Sequence, residues 1–118
     1  MRFCSRERLA CAVTVVLAVT VWWGARTPAR ATEPEITVRL FQFRHGTLPV
    51  APGARVTWTN HDDIEHTVTA GAPGQPEGRF RATLDGKGTS TSFTFSEPGV
   101  YPYFCERHHH MRGEIRVD

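Results

Sequence analysis

Apolar and polar residues alternate in short runs along most of the chain after residue 34. The three clearest runs are Glu35–Phe43, Arg55–Asn60 and Thr91–Ser96. Alternation with a period of two is typical of a β-strand that buries one of its two faces. We therefore predict a strand at each run, with the side chains of Ile36, Val38 and Leu40 on the buried face of the first.

Three further runs have the composition of strands, namely His66–Ala70, Val100–Cys105 and Gly113–Val117. Turns rich in Gly and Pro separate the runs, and residues 71–78 (GAPGQPEG) are predicted to form a loop. The segment Phe80–Leu84 fits either a short strand or a turn of helix, and no helical pattern exceeds two turns. About seven short strands divided by turns predict an all-β protein, a small antiparallel β-sandwich.

A different pattern covers the first 31 residues. Three arginines among the first eight residues precede an almost uncharged run at 9–24, and Ala29-Arg30-Ala31 supplies small residues around a cleavage site. This order predicts a secretory signal peptide at 1–31 and a mature domain at 32–118. The apolar run is shorter than the ~20 residues that span a bilayer. Arg26 and Arg30 are unusual so close to a cleavage site, which leaves an uncleaved membrane anchor as the alternative.

The charge balance changes when this leader is set aside. The full chain has 14 basic and 12 acidic residues, and the leader contains five of the first group and one of the second. Nine basic and eleven acidic side chains then remain, interspersed along 87 residues. A nucleic-acid surface would require clustered Lys and Arg. We therefore expect one periplasmic domain that binds neither nucleic acid nor, after cleavage, the membrane.

Cysteine and methionine each occur once in the predicted mature domain. Cys105 and Met111 lie with His108 in a C-x2-H-x2-M sequence. A single cysteine cannot form an internal disulfide, and in an oxidising compartment it is a reactive liability unless it is buried or bound to a metal. Thiolate, imidazole and thioether groups on one short loop are a set of ligands that suits copper.

A copper site of this kind needs one more ligand from elsewhere in the chain. Alternate turns of a β-sandwich lie at the same end, which makes the polar corner Asn60–His66 a neighbour of the 105–111 loop. We predict His66, at the start of a strand, as that ligand. Two imidazoles and a thiolate with a distant thioether describe a mononuclear blue-copper centre for electron transfer. The predicted metal ligands are therefore His66, Cys105, His108 and Met111.

The other histidines have alternative interpretations. His109 as the ligand would give a C-x3-H spacing, so we favour His108. His109 and His110 are expected to be exposed loop residues, with a proton-sensitive docking rim or an auxiliary metal-capture site as the alternative. His45 and His61 occur in polar turns and are expected at the surface.

Acidic and apolar residues form the expected surroundings of the site. The acidic residues of the corner are Asp62, Asp63 and Glu65. They lack a partner motif for acid–base chemistry or calcium binding, so we interpret them as a solvated corner near the copper end. Pro49, Ala72 and Met111 are expected to form an apolar patch around the exposed edge of His108, through which electrons would leave.

Four segments resemble the cupredoxins, the family of type 1 blue-copper proteins. They are Val56–Asn60, His66–Thr69, Phe93–Gly99 and Tyr101–Gly113. The resemblance extends from about Ile36 to Val117, and the C-x2-H-x2-M loop has the length of amicyanin-like members, shorter than plastocyanin-like loops. It implies an eight-stranded Greek-key sandwich that binds one copper ion and carries single electrons between proteins. The matching copper positions are His66, Cys105, His108 and Met111.

The chain departs from the family pattern beside the ligands. His109 stands where such loops usually have Pro, Glu106 where a small hydroxyl residue is common, and Thr67 where amicyanin-like proteins often have Asn. We expect the backbone N–H of Thr67 to donate to the Cys105 sulfur and its hydroxyl to contact the 105–107 turn. The ligand set is intact, whereas these changes bear on the redox potential and the partner surface.

The sequence therefore predicts an electron carrier rather than an enzyme. It would cycle one copper ion between Cu(I) and Cu(II) as a monomer. Its partners would be redox proteins such as a c-type cytochrome, a dehydrogenase or a reductase. The alternative is a periplasmic copper chaperone or copper-resistance protein, although such proteins usually have Met-rich or paired-Cys sites. Copper oxidases and nitrite reductases need additional copper centres and several domains, which 87 residues cannot hold.

Overall fold

The computed structural model describes Gly24 and residues 32–118, so the predicted leader lies outside the described residues apart from Gly24. The described residues form nine strands, which are β1 (Glu35–Arg39), β2 (Gln42–Phe43), β3 (Thr47–Val50), β4 (Ala54–Asn60), β5 (His66–Ala72), β6 (Gln75–Leu84), β7 (Ser90–Phe95), β8 (Gly99–Phe104) and β9 (Arg112–Val117). Within this described part of the chain, no helix is long and apolar enough to cross a membrane. The prediction of an all-β sandwich is confirmed.

The strands form two sheets, with the order β2-β1-β4-β7 in one and β3-β9-β8-β5-β6 in the other. β1 runs parallel to β4, with Ile36 opposite Trp58, and β3 runs parallel to β9, with Leu48 opposite Ile115. Both sheets also contain antiparallel pairs, so they are mixed, and the predicted antiparallel sandwich differs from the structure only in these two parallel pairs. The chain enters the second sheet at β3 before it returns to the first at β4, which brings β4 beside β1 in the same direction.

Alternate side chains of both sheets fill the space between them. Ile36 on β1 and Trp58 on β4 are fully buried, as are Leu84 on β6 and Ile115 on β9. The Trp58 ring is edge-on to that of Tyr103, with a centroid distance of 5.3 Å. Burial of each large apolar side chain contributes about 1.5–3 kcal/mol, so these residues hold the two sheets together.

The first predicted strand is divided by a two-residue turn. Strand β1 ends at Arg39, which pairs with Gln42 at the start of β2, so Leu40 and Phe41 form the turn. Both turn residues have positive φ angles, 52° and 57°. Leu40 is 64% exposed, and its predicted place on the buried face with Ile36 is therefore wrong. The alternating pattern continues through the turn, which lacks the Asn-Gly or Asp-Gly pair that marks such turns.

Residues 71–78, predicted as a loop, belong instead to a hairpin. Ala72 at the end of β5 pairs with Gln75 at the start of β6, and a Pro-Gly pair connects them. Gly74 adopts a positive φ of 79°, which suits a tight turn after a proline. The segment 80–84, which fitted either a strand or a helix, is part of β6.

Candidate metal centre

Three connections meet at one end of the sandwich. β5 and β8 are antiparallel neighbours, with Thr69 opposite Phe104, so the start of β5 and the end of β8 lie side by side. His66 is the first residue of β5, and Cys105 directly follows β8. The β1–β2 turn is the third connection, and the carboxylate of Asp62 joins it to this end of the molecule.

The ligand atoms of three predicted residues converge here. Cys105 Sγ lies 3.9 Å from His66 Nδ1 and 3.7 Å from His108 Nδ1. All three atoms lie within 4.8 Å of one another, the arrangement that a shared metal ion requires. His66 and Cys105 are fully buried, whereas His108 is partly exposed.

The loop from Cys105 to Met111 is closed by its own backbone. The N–H of Cys105 donates to the carbonyl of Met111 at 3.1 Å, and the N–H of Met111 donates to the carbonyl of His108 at 2.9 Å. These bonds hold the loop compact, with His108 folded back toward the cysteine. Met111 is 1% exposed, and its side chain is part of the core.

The spacing of the three atoms fits a metal ion. With the bond lengths that zinc makes to these groups, about 2.1 Å to nitrogen and about 2.3 Å to sulfur, ligands 120° apart are about 3.8 Å from each other. The two separations from Cys105 Sγ, 3.9 and 3.7 Å, lie on either side of this value. One thiol and two imidazoles in this arrangement are the donor set of a trigonal copper centre.

Asp62 holds His66 in the orientation that such a centre needs. Its Oδ2 lies 2.9 Å from His66 Nε2, and its side chain is only 12% exposed. A carboxylate accepts hydrogen bonds, so Nε2 carries the proton and Nδ1 is left free to face Cys105. Burial alone would raise the pKa of Asp62, but hydrogen bonds from the N–H groups of Phe41 and Leu40, together with His66, lower this pKa below its ordinary value.

The interpretation of the acidic corner as solvated is wrong for Asp62. Asp63 is exposed as expected, and Glu65 forms an ion pair with Arg107. The side-chain oxygen of buried Asn60 accepts the backbone N–H of Asp62 at 2.9 Å, and the Asp62 carboxylate is turned toward His66 and the β1–β2 turn. No spacing in the sequence distinguishes Asp62 from Asp63, since the backbone partners of its carboxylate are 21 and 22 residues away.

Thr67 makes both of its predicted contacts. Its N–H donates to Cys105 Sγ at 3.4 Å, and its hydroxyl accepts the N–H of Glu106 at 2.8 Å. The Glu106 carboxylate receives two hydrogen bonds from Arg81, each 2.8 Å long, and one from Thr69. The bonds from Arg81 are the main reason that the pKa of Glu106 is lowered. The residue after Cys105 is thus tied to β5 and β6, a role for Glu106 and Arg81 that sequence reasoning missed.

The ring of Phe41 packs against both histidines. The centroid distances are 5.7 Å to His66 and 5.0 Å to His108, and both contacts are edge-on. Loss of solvent contact lowers the pKa of His108, and the neighbouring His66 adds to this effect. The imidazole is therefore neutral over a wider pH range, as metal binding requires. No sequence pattern indicates the role of Phe41, because the predicted first strand continues through it.

The remaining histidines are surface residues, as predicted. His109 and His110 are exposed in the 105–111 loop, and His45 and His61 are exposed in turns. The ring of His110 lies 6.3 Å from that of His108 between centroids.

The predicted apolar patch around His108 has the wrong members. Met111 is buried, and Pro49 lies well along β3, opposite Arg116. Ala72 is at the far end of β5, about 20 Å from the start of that strand at 3.3 Å per residue. The exposed large apolar side chains on the turns at this end are those of Leu40, Phe41 and Ile64.

The chain is similar in sequence and in structure to known copper proteins. The family described as "Copper binding proteins, plastocyanin/azurin family" matches residues 31–118. Amicyanin from Paracoccus denitrificans is 32% identical over 92 residues, which cover 76% of this chain and 70% of that protein. Plastocyanin from Scenedesmus fuscus is 30% identical over 107 residues, with coverage of 84% and 98%. An amicyanin variant solved in its reduced Cu(I) form has a TM-score of 0.66 at 27% identity, with coverage of 77% and 87%.

Proposed function

The chain belongs to the plastocyanin/azurin family of copper-binding proteins, as its resemblance to the cupredoxins predicted, and we propose that it carries single electrons between proteins of the periplasm. In this proposal one copper ion is held by His66, Cys105, His108 and, more weakly, Met111. The predicted leader at 1–31 would direct export, and the protein would act as a monomer.

The observation that supports this function best is the convergence of three ligand atoms around a buried thiol. The second nitrogen of His66 is already bonded to Asp62, and the thiol of Cys105 already receives the N–H of Thr67. Ligands that are fixed by their neighbours need little rearrangement when the charge of the site changes. Little rearrangement is what rapid exchange of one electron requires.

Each side chain would have a distinct part in the chemistry. Copper bound at this centre supplies a one-electron Cu(I)/Cu(II) couple. The thiolate of Cys105 is the soft ligand that favours Cu(I), and the N–H of Thr67 draws negative charge from its sulfur. His66 and His108 present neutral nitrogen donors, which both oxidation states accept. The buried thioether of Met111 adds a soft donor without admitting water.

The surface at this end of the sandwich suits a protein partner. Exposed apolar side chains that lie together on a polar surface mark sites of protein contact. Leu40, Phe41 and Ile64 provide such side chains on two neighbouring turns, with exposures of 64%, 43% and 40%. We propose that a c-type cytochrome, a dehydrogenase or a reductase docks here and exchanges an electron through partly exposed His108.

An absorption spectrum of the copper-loaded protein tests the proposal. A thiolate bound to Cu(II) in this geometry should give an intense absorption band at about 600 nm. We expect the band in the unmodified protein and in His109→Asn, whose side chain is an exposed neighbour of the centre. It should be lost in Cys105→Ser and changed in His66→Asn. Binding of Cu(II) without this band would contradict the proposal.

The alternative to electron transfer is copper delivery, the function of a chaperone or resistance protein. The two functions make opposite demands, since a carrier keeps its copper while a delivery protein releases it. We expect fast electron self-exchange and slow loss of copper to a chelator, because His66 and Cys105 are fully buried. Slow self-exchange together with rapid loss of copper would instead support the chaperone or resistance function.

A further inference from the structure

The backbone of the β1–β2 turn is unusual for its sequence. Leu40 and Phe41 have φ angles of 52° and 57°, a region that large side chains rarely adopt. Turns of this type prefer Asn-Gly or Asp-Gly. A bulky pair in this conformation persists only where the surrounding structure holds it, and such places cluster at functional sites.

One carboxylate holds this turn. Asp62 Oδ1 accepts the N–H of Leu40 at 2.7 Å, and Oδ2 accepts the N–H of Phe41 at 3.1 Å. The same Oδ2 is 2.9 Å from His66 Nε2. Asp62 is itself fixed by Asn60, which is fully buried. The turn and the imidazole of His66 are therefore set by one group, and neither can shift without the other.

Because Asp62 holds the turn, it also fixes the position of the Phe41 ring. The ring lies edge-on to both imidazoles, at 89° to His66 and 85° to His108. Among the three converging side chains, His108 alone has solvent contact. Solvent therefore approaches the centre on the side of His108, the side on which Phe41 packs.

We infer that Phe41 caps the metal centre, and that Asp62 keeps the cap in place through the strained turn. The cap excludes small donor ligands, such as azide or free imidazole, from the copper ion, and its contact with His108 restrains that ring. Three strong ligands and the weaker Met111 leave a further coordination position that an external donor can occupy, and an electron carrier has no use for one. The inference rests on the copper centre of the proposed function.

Titration of the Cu(II)-loaded protein with azide and with imidazole tests the cap. The variant is Phe41→Ala, and the matched control is Leu40→Ala, since Leu40 shares the turn and its positive φ but is 64% exposed. The readouts are the thiolate–Cu(II) absorption band and the electron paramagnetic resonance spectrum. We expect Phe41→Ala to respond at about tenfold lower ligand concentration, equivalent to about 1.4 kcal/mol, and Leu40→Ala to respond as the unmodified protein does.

The outcomes separate the cap from the proposed function. Absence of the thiolate–Cu(II) band from the unmodified protein would overturn the copper centre and the cap with it. A normal band with equal ligand sensitivity in Phe41→Ala and Leu40→Ala would overturn the cap alone. Should Phe41→Ala fail to fold, Phe41→Leu takes its place, since the shorter side chain cannot contact both imidazoles. Phe41→Leu with the sensitivity of Leu40→Ala would again overturn the inference.

Discussion

The carboxylate of Asp62 accepts hydrogen bonds from the N–H groups of Leu40 and Phe41 and from His66 Nε2. Sequence reasoning found the partner of the Cys105 sulfur, Thr67, because that residue directly follows His66 in a strand. It did not find Asp62, because the direction of an acidic side chain in a turn depends on residues more than 20 positions away. Local contacts around the proposed ligands were therefore predictable, whereas contacts between separate loops were not.

The first prediction concerns the charge of Asp62. In Asp62→Asn the side chain keeps its shape but loses its charge and one of its two acceptor oxygens. One of the N–H groups that now donate to the carboxylate is then left unpaired, which should lower the free energy of unfolding by about 1–3 kcal/mol. A negative charge near the copper ion favours Cu(II), so its removal should raise the reduction potential, on the order of 50 mV. Potentiometric titration and urea unfolding measure the two effects.

The control for Asp62→Asn is Asp63→Asn, which removes the same charge from the exposed neighbouring residue. Asp63→Asn should leave the unfolding midpoint unchanged and shift the potential much less. Equal shifts in both variants would mean that the potential depends only on net charge and that the hydrogen bond to His66 has no separate effect.

The second prediction concerns Tyr103 in the core. Burial raises the pKa of Tyr103 to about 12, whereas the pKa of a tyrosine in the unfolded chain is about 10. The unfolded chain therefore loses this proton first, and stability should fall as the pH rises from about 10 to about 12, by about 1.4 kcal/mol per unit. Urea unfolding over this range should show the decline in the unmodified protein and in Tyr101→Phe, and a smaller one in Tyr103→Phe. An unchanged decline in Tyr103→Phe would mean that ionisation of Tyr103 does not cause the loss of stability.

At the scale of elements, the third prediction concerns strain in the β1–β2 turn. Leu40→Gly relieves a positive φ that costs a leucine on the order of 1–3 kcal/mol, while the added flexibility of glycine costs about 0.5–1 kcal/mol. Leu40 is 64% exposed and contributes little burial. We expect the free energy of unfolding to increase by about 1 kcal/mol, measured by urea titration.

Arg39→Gly is the comparison for this turn, because Arg39 lies in β1 next to it. Glycine inside a strand should lower stability by about 0.5–1 kcal/mol. If Leu40→Gly were also destabilising, the turn would not be strained in the folded protein, and its conformation would follow from the side chain of Leu40 itself.

The elements themselves were only partly predictable. Strands with clean alternation, such as β4 and β7, were found because the apolar side chains of one face, Val56 and Trp58 among them, enter the core. The β1–β2 turn was not found, because its residues continue the apolar pattern and a distant carboxylate stabilises it. The β5–β6 hairpin was taken for a loop, because its Gly and Pro content also suits a loop.

At the scale of the whole molecule, the sandwich followed from composition and spacing, but the parallel pairs did not. Alternation along a strand is the same whether its neighbour is parallel or antiparallel. The placement of β1 beside β4 depends on where the chain crosses between sheets, which is a property of the whole fold. The end of the sandwich that carries the site was predictable, since His66 and Cys105 each lie next to a turn at that end.

The proposed metal centre and the hydrophobic core share residues. The buried cluster that joins the two sheets includes Cys105 and Met111 together with residues such as Trp58 and Tyr103. Both ends of the ligand loop are thus anchored by packing, and its backbone is closed by two internal hydrogen bonds. We therefore expect folding to depend on the metal less than it does in small zinc domains.

The last prediction follows from this arrangement. Without copper the chain should keep its β-sandwich and unfold in one cooperative step, because most residues of the buried cluster lie outside the 105–111 loop. Copper bound to the folded chain alone should add RT ln(1 + [L]/Kd), about 4.1 kcal/mol at a free concentration 1,000 times Kd. Anaerobic urea unfolding with and without Cu(I) measures this gain, and Cys105→Ser should lose most of it. An apoprotein that does not unfold cooperatively would contradict the prediction. It would mean that the sandwich folds only when copper binds to the 105–111 loop.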